Sequence, residues 1–124
     1  DKAEVKPYFE EKRTQYNLQD RLSFVAGDFF LDNFPKGDLY SLGYILSDWK
    51  KDQGSILLRK IYNALPANGA VIILEKIFND NLNGPFATAM MNLAMLLETY
   101  GKHRSTREYK SWLKELGFKK CKVI

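Results

Sequence analysis

A single cysteine, Cys121, is the whole thiol content of these 124 residues. No internal disulfide can form, so a reducing compartment, the cytoplasm, is expected, with Cys121 read as a small buried strand residue. No apolar run approaches the ~20 residues of a membrane span, and the charged N-terminal stretch lacks the apolar core of a secretory signal. Membrane partners are therefore not expected. Nucleic acid is not expected either. The 19 basic and 15 acidic residues leave a net charge of +4, but the lysines are dispersed apart from Lys114, Lys119, Lys120 and Lys122. No nucleic-acid module accompanies them, so that cluster reads as a solvated face. Repeats, low-complexity segments and glycine-rich phosphate cradles are absent.

What is present is apolar and aromatic residue, 45% and 14% of the chain, enough for one folded domain over residues 1–124. Val5, Tyr8, Phe9 and Tyr16 follow a helical face, with Asn17 as its stop. Residues 22–26 read as a short strand, 33–37 as a turn, and 39–46 as a second strand covered on both faces. Ile56, Leu57, Ile61, Ala64 and Leu65 mark a helix over about 51–65, ended by Pro66-Ala67-Asn68-Gly69. Residues 71–74 form the strongest strand. Residues 85–97 read as a helix apolar on most sides, which protein or a pocket must cover. Ser105 and Glu108 have the spacing of a capping box, ahead of a stripe of Tyr109, Trp112, Leu113 and Leu116. Gly117 closes that helix, and 118–124 read as a last strand. Strands alternating with helices predict an α/β fold with a mainly parallel sheet.

Three strands end in groups suited to chemistry: the first at Asp28, the second at Ser47-Asp48, the third at Glu75. Ligands collect at the carboxyl ends of parallel strands. Asp28 has Phe29 beside it, and an acid next to an aromatic can hydrogen-bond and stack a flat heterocycle; a turn or cap role for Asp28 stays open.

Several segments stand in order and at consistent spacing: Gly27-Asp28-Phe29-Phe30, Asp38-Leu39-Tyr40, Ile45-Leu46-Ser47-Asp48-Trp49, Leu65-Pro66-Ala67-Asn68-Gly69, Gly101-Lys102-His103-Arg104-Ser105 and Leu116-Gly117-Phe118. Together they resemble the S-adenosylmethionine-dependent O-methyltransferases of the plant caffeate and animal acetylserotonin type. The resemblance implies a partial Rossmann-like class I methyltransferase sheet with flanking helices, lacking its first two strands and its last antiparallel strand. It implies S-adenosylmethionine as cofactor and no metal. Asp28 would bind the adenine amino group, with Gly27 in the same segment and Phe29 packed on the ring. Asp1 would hold the ribose hydroxyls, in a segment where Ala3 replaces the usual proline. Gly43 and Tyr44 would pass near the methionine end. Met91 and Met95, with Asp48, would line the acceptor pocket, although a methionine stripe also fills ordinary cores.

The departures from the family pattern bear on catalysis. Ser47 stands where the family has the histidine that removes the acceptor's proton, and a serine hydroxyl is far too weakly basic to replace it. His103, the chain's only histidine, stands where the family has a glutamate that orients that base. Glu75, the other flanking acid, is retained. Two placements of His103 stay open: a substitute base beside Glu75, or a solvent-exposed loop residue between Lys102 and Arg104.

The resemblance further implies that the chain is the C-terminal part of a methyltransferase domain, a fragment that by itself binds the cofactor poorly and methylates nothing. The parent would transfer methyl from S-adenosylmethionine to a hydroxyl of a small, aromatic molecule. It would dimerise through an N-terminal domain absent from this chain. The alternative is a non-catalytic methyltransferase-like module that has lost its base.

Overall fold

Pro7 lies in the first turn of helix α1 (Lys6–Gln15), where a missing N–H leaves no helical bond unmade. The computed structural model describes every residue, 1–124, in two compact units, Asp1–Phe34 and Pro35–Ile124.

In the first unit, Asn17 adopts φ 52° just beyond α1. The N–H groups of Asn17 and Leu18 donate back to Thr14 and Arg13 at 3.1 and 2.9 Å, closing the helix with the paired bonds of a Schellman motif. Phe9 packs on Phe24 at 5.4 Å between ring centroids, and Arg13 donates to the Leu22 carbonyl at 3.0 Å. The strand expected at 22–26 does not form. That segment has no ladder partner: the Asp1 ammonium donates to Val25 O at 3.1 Å, and Gly27 N–H donates to Asp1 O at 2.8 Å. One residue of pairing does not make a sheet.

The second unit is α/β with parallel pairing, as expected. Strand β1 (Leu39–Gly43) and strand β2 (Ala70–Leu74) run parallel, with Gly43 opposite Leu74. Helix α2 (Lys51–Ala64) connects them. The second strand stops at Gly43 rather than 46, because Tyr44 takes φ 53° and breaks the extended run. A 3-10 turn at Leu46–Asp48 follows. Coverage on both faces is not observed either: Leu39, Ile72 and Leu74 are exposed while their neighbours are half-buried, the alternation of a pair covered on one side.

Strand β3 (Ile77–Phe78) and strand β4 (Arg104–Ser105) make a second parallel pair, Ile77 opposite Arg104. Neither was foreseen, since two-residue strands carry no periodicity. Between them lies helix α3 (Phe86–Glu98), whose buried residues are Thr88 and Met95, with Leu97 90% exposed. The cover expected for this apolar helix is thus mostly not supplied by the chain itself.

Helix α4 (Thr106–Glu115) opens on the capping box foreseen at Ser105 and Glu108. It ends on Gly117 at φ 102°, with Gly117 and Phe118 donating to Lys114 and Leu113, a second Schellman closure that needs glycine's left-handed freedom. The core joins Leu57, Leu58 and Ile61 of α2 to Tyr109 and Trp112 of α4, with Leu116 and Leu46. Each such side chain contributes roughly 1.5–3 kcal/mol by leaving water. Trp112 donates from Nε1 to Ser55 Oγ at 2.7 Å, so its one polar atom is satisfied. The strand expected at 118–124 is absent: Phe118 packs edge-on against Tyr62 at 5.1 Å, and the residues beyond it are exposed. Cys121 is accordingly an exposed thiol, not a buried strand residue.

Candidate active site

The carboxyl end of β2 and the residue preceding β4 meet in one buried cluster. Glu75 follows directly on Leu74, and its Oε1 accepts from the Ser47 N–H at 3.1 Å. That bond fastens the Leu46–Asp48 turn to the end of β2. Pairing of β3 with β4 then brings His103, one residue before Arg104, towards Glu75, two residues before Ile77. His103 Nδ1 lies 4.0 Å from Glu75 Oε2, and the two side chains are 1% and 0% exposed. The open-loop placement of His103 is therefore excluded. From the other side, Asn92 of α3 accepts the His103 backbone N–H at 2.7 Å.

Burial pulls the His103 imidazole below its ordinary pKa, and the charges of Lys76 and Arg104 add to this; Glu75 and, less strongly, Asp48 oppose it. The ring is consequently neutral near pH 7, the form that can accept a proton. Burial raises Asp48 above the usual carboxylate range, with His103 opposing. Burial, then the Glu75 charge, pushes the Tyr109 phenol well up, so it stays protonated. Glu75 Oε2, both His103 ring nitrogens and the Tyr109 hydroxyl are buried without a hydrogen-bond partner. Buried polar atoms are nearly always satisfied in folded proteins, so the unpartnered His103 ring nitrogens, with Nδ1 4.0 Å from the equally unpartnered Glu75 Oε2, mark a place where chemistry outranks stability.

Arg104 holds the walls. Its Nη1 donates to Leu46 O at 2.8 Å and to Lys102 O at 3.1 Å, while Nη2 donates to Trp49 O at 3.0 Å. Gly101 passes so close that an added Cβ would overlap the Ser47 carbonyl oxygen and stand 2.6 Å from Trp49 N. Ser47 is 2% exposed. Its side chain takes no part in the hydrogen bonds that hold this cluster; its backbone does.

The residues expected at the cofactor divide between the units. In the first unit, Asp28 is exposed and Phe29 half-buried, with Phe29 tilted on Phe30 at 4.7 Å between centroids. Asp28 Oδ1 accepts the Phe30 N–H at 2.7 Å, so the turn role left open for it is real. Gly27 meets Asp32, whose Oδ2 would stand 2.9 Å from an added Cβ and accepts the Asp28 N–H at 2.8 Å. Asp1 is exposed, and its Oδ1 accepts from the neighbouring Lys2 N–H at 2.8 Å. An exposed carboxylate beside a half-exposed ring suits the amino edge and face of a purine. In the second unit, nothing stands closer to a Cβ at Gly43 than Leu74 Cδ1 at 3.9 Å. Internal packing therefore does not demand glycine there, and a ligand could approach the backbone closely. Tyr44 beside it is half-exposed and held in the left-handed region, a conformation that gathers at binding sites.

A cleft of about 530 Å³ in the second unit is walled by Lys50, Asn92, Leu96, Tyr100, Arg104 and Trp112 among others. Met91, Met95 and Asp48 are not among its walls; α3 presents Asn92 and Leu96 there, one position on from the methionines. Asn92 escaped the sequence reading. A lone amide inside the apolar run Met90–Leu97 was a usable signal for it.

Residues 6–119 match the O-methyltransferase domain family. Acetylserotonin O-methyltransferase of Bos taurus is 37% identical over 100 residues, 81% of this chain and 29% of that protein. An O-methyltransferase family 2 protein from Planctomyces limnophilus, solved in complex with apigenin, superposes with a TM-score of 0.88 at 33% identity over 93% of this chain and 35% of its own. Human N-acetylserotonin methyltransferase, solved in complex with S-adenosylmethionine, gives 0.74 at 31% identity over 82% and 31%. The chain thus spans about a third of the length of the proteins it matches.

Proposed function

This chain belongs to the O-methyltransferase domain family, whose cofactor is S-adenosylmethionine, and on that premise we propose that its parent methylates a hydroxyl of a small aromatic molecule. His103 is the proton acceptor and Glu75 its orienting partner. The observation that carries this reading is the buried His103–Glu75 pair, 4.0 Å apart, with the imidazole kept neutral by burial.

When bound, S-adenosylmethionine supplies a sulfonium-activated methyl group. Asp28 and Phe29 would hold its adenine and Asp1 its ribose. The rest falls to the acceptor side. Nε2 of His103 takes the hydroxyl proton of the acceptor, and Nδ1–H turns to Glu75, whose charge stabilises the imidazolium that forms. Asn92 holds the His103 backbone, and exclusion of water keeps these charges effective.

The test is methyl transfer by the full-length protein to N-acetylserotonin, with a panel of simple phenols alongside. His103→Gln should lower kcat by ~10²–10⁴, the usual contribution of a general base; an unchanged kcat ends the assignment. Ser47 favours a second reading, in which the fold is kept as a non-catalytic binding module. In that case the wild type transfers nothing and Ser47→His creates activity. Dimerisation of the parent through an N-terminal domain and a cytoplasmic location accompany the first reading. No helix is long and apolar enough to cross a membrane.

A further inference from the structure

Asn92 is the one polar residue in the apolar run Met90–Leu97. It stands four residues after Thr88 and three before Met95, the two buried residues of α3, so the three share a helix face. That face meets the rest of the unit through two side-chain bonds. Thr88 Oγ1 donates to Ile77 O at 3.5 Å, and Asn92 Oδ1 accepts the His103 N–H at 2.7 Å. The donor fixes which end of the amide faces His103, since only the oxygen can accept. A half-buried amide in an apolar run costs free energy unless it is bonded; this one is bonded at the proposed proton acceptor.

The bond matters because of how His103 is held. Strand β4 starts one residue later, at Arg104 opposite Ile77, and the His103 N–H is met by a side chain rather than by the ladder. His103 is 2% exposed, so without Asn92 that N–H would be a buried donor with no acceptor. Its neighbours are anchored separately. Arg104 reaches the carbonyls of Leu46, Lys102 and Trp49 through its guanidinium, and Gly101 N–H donates to Thr99 Oγ1 at 3.2 Å. Neither ring nitrogen of His103 has a hydrogen-bond partner. The polar hold on this residue is therefore on its main chain, and Asn92 supplies it.

We propose that Asn92 is a positioning residue for proton removal: by holding the His103 main chain from α3, it aims the imidazole at the acceptor hydroxyl without touching the acceptor. The inference rests on His103 being the proton acceptor. The charges that act on the ring come from Glu75 and Lys76 after β2, Asp48 in the Leu46–Asp48 turn and Arg104 of β4. Asn92, facing His103 from α3, is neutral. An aspartate in its place keeps an oxygen acceptor and adds a negative charge, which favours the imidazolium.

The experiment uses the full-length protein in wild-type, Asn92→Leu, Asn92→Asp, His103→Gln and Asn92→Leu/His103→Gln forms, at a temperature where melts show each folded. The imidazole resonance that His103→Gln deletes is titrated by NMR. Methyl transfer to N-acetylserotonin and to a simple phenol is measured in parallel. Asn92→Leu should shift or broaden that resonance and lower kcat by ~10–10²-fold, the range for a misplaced catalytic group. KM should hold, and the factor should be the same for both acceptors. Asn92→Asp should restore kcat at its plateau and move the His103 titration to higher pH. In the His103→Gln background, Asn92→Leu should cost nothing more. A lower melting temperature with the resonance and kcat unchanged would make Asn92 merely structural, and a loss in KM or one that differs between acceptors would make it a substrate contact; either overturns the proposal while leaving His103 as base. Should Asn92→Leu not fold, an unmoved titration or unrestored kcat in Asn92→Asp overturns it equally. Full activity in His103→Gln removes the base and this proposal with it.

Discussion

The guanidinium of Arg104 lies over the Trp112 ring, 4.9 Å from its centre. From that platform its nitrogens reach the carbonyls of Leu46 and Trp49, so one side chain fastens the turn after β1 to the start of α4. The guanidinium fork suits this because two carbonyls are served from one plane. Arg104→Lys keeps the charge, loses the fork and leaves a buried cation under-bonded. A loss of about 3 kcal/mol in urea unfolding is expected. Exposed Lys110→Ala is the control, within about 0.5 kcal/mol of wild type.

Gly101 tests the same junction from the backbone. A Cβ there meets the carbonyl of Ser47 and the chain at Asp48 and Trp49. These are backbone atoms, part of a buried turn, and they cannot step aside cheaply. Gly101→Ala should destabilise by about 1–3 kcal/mol or more, as overpacking does, and should also disturb the Ser47 N–H bond to Glu75. Gly43→Ala, whose Cβ would make only an ordinary contact with Leu74 Cδ1 at 3.9 Å, should leave the unfolding midpoint unchanged. Equal effects at the two glycines would contradict this account of the junction.

The pH dependence of stability follows from His103. Its folded-state pKa lies below the ordinary 6.5, chiefly through burial. Between those two values the unfolded chain binds the extra proton and the folded chain does not, so unfolding gains as pH falls. The contribution is fully present above about 6.5 and disappears as pH drops through the folded value. Asp48, raised by burial, works in the opposite sense at more acid pH. The difference between wild type and His103→Gln isolates the histidine: the wild type should lose more stability than the variant between pH 7.5 and 5. Parallel curves for the two proteins would mean the imidazole is not held neutral.

Much of the second unit was legible because its signals were local. The Ser105–Glu108 box of α4 needs no distant partner to be read, and of the face read for α2 Leu57 and Ile61 are buried, whereas Ile56 and Ala64 are exposed and Gly54 and Leu58 complete the buried face instead. The errors came where a segment's state depends on what lies beside it. Residues 22–26 and 118–124 have strand composition but no ladder, and β-propensity records fit to a neighbour rather than an intrinsic preference. Glu75 and His103 were placed by family spacing, but their burial was not, since it depends on the β3–β4 pairing that two-residue strands do not announce. Asn92 shows the same limit: its place in an apolar run marks it as unusual, and only its bond to His103 says why.

Asp28 offers a clean separation of a turn from a binding site. Its Oδ1 accepts the Phe30 N–H, a job that an asparagine carbonyl performs equally well. A purine amino group gains further from the negative charge, because bonds to ionised acceptors are about twice as strong as neutral ones. Asp28→Asn in the full-length protein should therefore leave the unfolding midpoint near wild type while weakening S-adenosylmethionine binding about tenfold, from a loss near 1.4 kcal/mol. Asp28→Ala should lose both. Titration calorimetry alongside thermal melts distinguishes the cases. Unchanged affinity in Asp28→Asn, with stability lost only in Asp28→Ala, would reduce this residue to its turn and move the adenine site elsewhere.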